Sequence, residues 1–206
     1  LMARCIGFDI RGEELEPVLE GVVEWILAHS LENGFPGWIG KGLQAKAPAR
    51  LAWCYGDPGV AAALSTAARV TGNDRWQAHA LEIARRAARR DPEDSGINDA
   101  GLCHGTAGLG LIFSRLHHNT GCEELAETAR YWLEETLDWR SPGEGVGGYK
   151  VWTVPRGSGG SGELGWFDDP GLLNGSAGIG LGLLAAVADQ APDWDRCLLL
   201  SADEAK

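Results

Sequence analysis

Two thiols and one imidazole are the side chains of this chain whose types and spacing best suit chemistry. Cys54 and the pair Cys103-His104 each stand just ahead of a glycine that opens an apolar segment, with 49 residues (103 − 54) between the thiols. Two sulfurs and a ring nitrogen form a donor set for Zn²⁺, which binds thiolate at about 2.3 Å and imidazole at about 2.0 Å. Three protein donors leave one tetrahedral position open, which is the pattern of a catalytic zinc rather than a closed structural one. Both cysteines precede the predicted N-terminus of a helix, where free N–H groups and the macrodipole favour thiolate, the form that binds metal. A free cysteine on its own is more often a small apolar filler. That reading, core or surface, is the one for Cys5, Cys122 and Cys197, which have no comparable context.

The elements that must position these residues follow from an internal repeat. Cys54-Tyr55-Gly56-Asp57-Pro58-Gly59-Val60, Cys103-His104-Gly105-Thr106-Ala107-Gly108-Leu109 and Leu173-Asn174-Gly175-Ser176-Ala177-Gly178-Ile179 share one pattern. Asp57, Thr106 and Ser176 follow the first glycine of each copy, and each is expected to cap a helix. The segments behind them, Val60 to Val70, Leu109 to Leu116 and Ile179 to Val187, are apolar on all sides, as buried inner helices are. Three amphipathic segments alternate with them at a 3.6-residue period: Leu15, Val18, Leu19, Val22 and Ile26; Trp76, Ala80, Ile83, Ala84 and Ala87; Leu125, Ala129, Trp132, Leu133 and Thr136. In the second, Arg85, Arg86, Arg89 and Arg90 are expected to face mostly water. The order outer, inner, repeated three times, predicts an all-α fold of three helical hairpins side by side, a curved wall or ring of inner helices. Side-by-side hairpins place the same end of every inner helix on one side, which brings Cys54 toward Cys103 and His104. The third copy offers only Leu173 and Asn174 there.

Residues 141–165 hold nine glycines with Pro142 and Pro155 and cannot continue a helix. They predict a long surface loop with a short ribbon at Tyr149 to Val154, either a functional element or a plain insertion. Gly175-Ser-Ala-Gly-Ile-Gly is not a nucleotide-binding turn, because no strand precedes any copy; its glycines are expected to let inner helices approach one another.

With 18 basic and 29 acidic residues among 206, the chain carries a net charge of −11, which argues against a nucleic-acid partner. No basic, apolar leader opens the sequence, and the longest apolar run, Ala177 to Ala188, is shorter than the about 20 residues a bilayer needs. A cytoplasmic location with reduced thiols is expected.

The motifs around Trp53-Cys54-Tyr55-Gly56-Asp57-Pro58-Gly59 and Leu102-Cys103-His104-Gly105-Thr106-Ala107-Gly108, with Leu173-Asn174-Gly175 and the closing Trp194-Asp195-Arg196, resemble the lanthionine synthetase C-like family from about residue 15 onward. The resemblance implies an α/α toroid of which residues 1–206 form the C-terminal part, with zinc on Cys54, Cys103 and His104. It also implies a reaction: the thiol of a dehydrated precursor peptide adds to dehydroalanine or dehydrobutyrine and closes a lanthionine or methyllanthionine ring. Arg50 and Tyr55 match family positions near the metal, where Arg50 would hold the enolate or orient the site and Tyr55 would line the bowl. A lanthipeptide dehydratase and the missing N-terminal half of the toroid are the partners implied. The family's acid/base histidine and aspartate have no counterpart, and His29, His79, His117 and His118 fall on outer helices or helix ends. A zinc- or thiol-binding protein without ring closure is the alternative. A toroidal glycosidase would need paired carboxylates, for which Asp99 and Asp168-Asp169 are the candidates.

Overall fold

The computed structural model describes residues 1–154, 162–189 and 192–200. It is all-α apart from two small ribbons. The helices are α1 (Met2–Gly7), α2 (Gly12–Ala28), α3 (Gly56–Thr71), α4 (Asp74–Ala88), α5 (Thr106–Thr120), α6 (Glu123–Asp138) and α7 (Ser176–Val187). The strands are β1 (Ile39–Gly40), β2 (Leu43–Gln44), β3 (Val151–Thr153) and β4 (Gly165–Phe167), paired antiparallel as β1 with β2 and β3 with β4. The β3–β4 pair includes the expected ribbon, while residues 155–161 of the glycine-rich segment lie outside the described residues. The β1–β2 pair and α1 were not expected; both are too short to show a period.

Two layers result. The inner helices α1, α3, α5 and α7 pack in sequence order, and α2, α4 and α6 lie outside them. Three hairpins are present, but each is an inner helix followed by its outer one rather than the reverse: α1–α2, α3–α4 and α5–α6. The connections explain this. α3 and α5 end on Gly72 and Gly121, both at φ 66, a left-handed backbone that only glycine enters freely. The chain therefore turns back within two residues, and Asn73 caps α4 by accepting from Trp76 N–H at 3.1 Å. The links from outer to inner helix are long, and they form the site.

The core is aliphatic and aromatic, with Leu51, Leu102, Leu109, Ile112, Phe113, Leu116 and Leu125 among its fully enclosed side chains. α7 departs from the all-buried expectation. Gly182 faces α5 and Ile179 packs with Ala100 and Tyr149, but Leu184 is 58% and Val187 79% exposed, because no described outer helix follows to cover them. The C-terminal segment instead folds back. Arg115 of α5 pairs with the enclosed Asp195 at 2.7 Å, and Trp53 Nε1 donates to the Leu198 carbonyl at 2.9 Å.

Two expectations about polar residues are corrected. Asp57, Thr106 and Ser176 do not cap: the capping positions are Tyr55, Gly105 and Gly175, and no side chain caps there. Arg86 and Arg90 do not face water. Asp57 is wholly buried, accepts from Phe35 N–H at 2.8 Å and from Arg86 Nε at 2.9 Å, and lies 3.8 Å from Arg90. A carboxylate without water needs such partners, and these two guanidiniums supply them. Arg85 and Arg89 remain outside and pair with Glu124 of α6.

Candidate metal and thiol site

The turns ahead of α3, α5 and α7 share one backbone fold-back. Gly59 N–H donates to Ala52 O at 3.1 Å, Gly108 to Gly101 O at 3.3 Å and Gly178 to Gly171 O at 3.4 Å, each seven residues upstream. These carbonyls take the N–H groups that helix starts leave unpaired. The turn presses so closely on the helix that a Cβ on Gly59, Gly108 or Gly178 would lie 2.2, 1.9 or 1.8 Å from the carbonyl oxygen of Trp53, Leu102 or Leu172. The repeated glycines therefore serve mainly this fold-back within each unit, whereas Gly182, against Ala107, is the one that lets neighbouring inner helices close up.

Adjacent turns are then joined to one another. Trp53 N–H donates to Cys103 O and Cys103 N–H to Leu173 O, both at 2.8 Å. This brings Cys54 Sγ to 3.2 Å from Cys103 Sγ. The Cys54 thiol is lowered to about 7, chiefly by the hydrogen bond from Cys103, with Arg50 adding a smaller attraction; Cys103 is correspondingly raised. Burial holds His104 toward its neutral form, opposed by the negative charge of Asp99.

Arg50 and Tyr55 are also brought together. Arg50 Nε donates to the Tyr55 hydroxyl at 2.7 Å, and its charge acts on both thiols and on His104. His104 is the exception. Among the described residues no three His, Cys, Asp or Glu side chains stand close enough to hold a metal ion. The chemistry of the donors still fits zinc in part: tetrahedral geometry at about 2.3 Å to each sulfur separates two thiolates by about 3.8 Å, and these stand within about 0.6 Å of that. A neutral imidazole next in the chain is also the form that ligates.

Asp99, considered above only as an acid for a glycosidase, belongs to the Cys103 turn. Four residues before Cys103, as Arg50 is before Cys54 and Asp169 before Leu173, it is nearly enclosed and accepts from Gly101 N–H at 3.0 Å and from Trp152 N–H at 3.2 Å. Asp169 likewise accepts from Gly171 N–H at 2.7 Å. Asp99 and Asp169 hold turns and are thus engaged in the scaffold, whereas Asp168 is exposed. The repeat contained the signal, since the position four before each motif is Arg, Asp, Asp.

His29 Nδ1 meets Trp25 O at 2.7 Å, His117 Nδ1 meets Cys122 O at 3.1 Å and His79 pairs loosely with Glu82. His118 lines a small cavity between α5 and α7.

No described helix is long and apolar enough to cross a membrane. Comparison with solved structures finds nisin cyclase, at 23% identity and a TM-score of 0.54, over 77% of this chain and 33% of that one. The likeness extends to the fold, an arc of an α/α toroid, and the chain spans about one third of nisin cyclase's length. The family model described as lanthionine synthetase C-like protein matches residues 2–199, so the likeness begins at α1, earlier than residue 15. With its repeated turns and paired thiols, the chain belongs to the lanthionine synthetase C-like family.

Proposed function

We propose that this chain carries the zinc-binding part of a peptide cyclase, which joins cysteine thiols to dehydroalanine or dehydrobutyrine and forms lanthionine or methyllanthionine rings. The observation that carries the reading is the 3.2 Å approach of Cys54 and Cys103, from two turns that the backbone locks together. Cys54, Cys103 and His104 would hold the ion. Zinc, when bound, would supply the charge that ionises a substrate thiol near neutral pH.

In the reaction the thiol loses its proton, sulfur bonds to the β-carbon of the alkene, and the displaced electron pair forms an enolate. A proton at the α-carbon completes the ring, and nothing is oxidised. Arg50, oriented by Tyr55, lies beside the thiols with its charge free to meet the enolate oxygen, where a placed cation lowers the barrier. Tyr55 lines the same cavity as Cys54. A dehydrated precursor peptide is the substrate, with a dehydratase as the source of its alkenes and the remainder of a toroid as the source of acid/base groups.

Zinc titration of metal-free protein tests the first part: about one ion should bind, and Cys103→Ala should lose it. Incubation with a dehydrated cysteine peptide, then alkylation and mass spectrometry, tests the second, since ring cysteines escape alkylation. Zinc binding without protected cysteines would favour a second reading, a zinc-dependent thiol-capturing protein. The positions of His29, His79, His117 and His118 support that alternative, because they lie at the end of α2, on α4 and at the far end of α5.

A further inference from the structure

Three tryptophans stand together on the β3–β4 ribbon and at the end of α6, and the reaction above does not use them. Trp152 of β3 and Trp166 of β4 are direct cross-strand partners with rings 5.4 Å apart, and Trp139, at the end of α6, meets Trp166 at 5.7 Å. Large rings are normally covered, yet Trp166 is 45% and Trp139 36% exposed.

The ribbon is tied to the site. Trp152 N–H donates to the Asp99 carboxylate, whose other oxygen holds Gly101 in the turn that carries Cys103. Asp168 follows directly after β4, two residues along the chain from Trp166. Asp138, beside Trp139, and Asp168 are both exposed. Open indole faces attract cations through the ring quadrupole, and carboxylates beside them add to the attraction. A net charge of −11 also favours a cationic partner over an anionic one.

We propose that Trp139, Trp152 and Trp166, with Asp138 and Asp168, form a subsite for a lysine or arginine side chain of the peptide substrate. The inference rests on the reading of the thiol site as one that acts on peptides. It adds that sequence preference is read on the ribbon, away from the reacting atoms, by the charge of a neighbouring residue.

The test is calorimetry and tryptophan fluorescence on the 206-residue chain, with a short cysteine-free peptide containing lysine and its Nε-acetyl-lysine counterpart. The lysine peptide is expected to bind roughly fivefold tighter, the ratio given by about 1 kcal/mol of exposed cation–π attraction. Added salt should narrow the gap. Trp166→Leu, which keeps apolar bulk but removes the indole face, should abolish the preference, and Asp168→Asn should weaken it with the circular dichroism unchanged. Equal affinity for both peptides, or a preference that survives Trp166→Leu, overturns the proposal. Zinc titration of the same preparations separates the two readings: zinc bound with no lysine preference defeats the subsite alone, whereas lysine preference without zinc defeats the cyclase reading and keeps the subsite.

Discussion

The first two turns and the third have the same backbone and opposite chemistry. All three fold back on the first turn of an inner helix through a carbonyl seven residues upstream. Two of them present Cys54 and Cys103, whereas the third presents Leu173, half exposed, and Asn174. The turn is therefore a scaffold that tolerates any outward residue, and reactivity depends on which residue occupies one position. The residue after each first glycine shows the same independence. Asp57 anchors Phe35 and Arg86, the Thr106 hydroxyl accepts from Thr136 at 2.8 Å inside the core, and the Ser176 hydroxyl donates to Val146 O at 2.5 Å.

Metal binding should separate the turns most sharply. Cys103→Ala is expected to lower zinc affinity by at least about 100-fold, since losing even a group that only orients a ligand costs 10–100-fold, and Leu173→Ala should leave it unchanged; competition with a chromophoric chelator reads both. If Leu173→Ala weakens zinc comparably, the division between the turns fails.

Next in size is the buried acid. Asp57→Ala leaves Arg86 and Arg90 facing an uncharged gap, and breaking such a pair costs about 3 kcal/mol or more in urea unfolding. At the matching position Thr106→Ala should cost about 1 kcal/mol and Ser176→Ala under about 0.5 kcal/mol. An equal loss at all three would show that the position works through the turn itself rather than through separate partners.

The glycines test the shared scaffold. Gly178→Ala should destabilise by about 2 kcal/mol, because the new carbon meets the Leu172 carbonyl. Gly180→Ala, two residues on and with nothing within 4 Å, should stabilise by about 0.5 kcal/mol through helix propensity. Thermal melts distinguish the opposite signs.

The smallest effect concerns a partly exposed counterpart of Asp57. Hydrogen bonding to Arg89 holds the Glu124 carboxyl below its usual range. A depressed folded pKa adds stability above the unfolded value, about 4.3, and that contribution is lost as pH falls through the folded one. The gap in urea midpoint between the parent and Glu124→Gln should therefore be small at pH 7 and close on acidification. Water screens this pair, so a gap as large as that for Asp57→Ala would contradict the contrast between inside and outside.

Local pattern was sufficient to locate the starts of α3, α5 and α7, the period of the outer helices, and the two turns whose thiols meet. Each depends on neighbours in the chain, through glycine sterics and the 3.6-residue period. Tertiary structure alone decided that hairpins run from inner to outer helix, that Arg86 and Arg90 turn inward to a carboxylate some thirty residues away, and that Asp99 links the β3–β4 ribbon to the Cys103 turn. The sulfurs meet for the same reason: hydrogen bonds from Trp53 to Cys103 and from Cys103 to Leu173 join turns far apart in the chain. Periodicity cannot encode a backbone pairing between segments separated by whole helices, because the energy that selects it appears only when those helices pack.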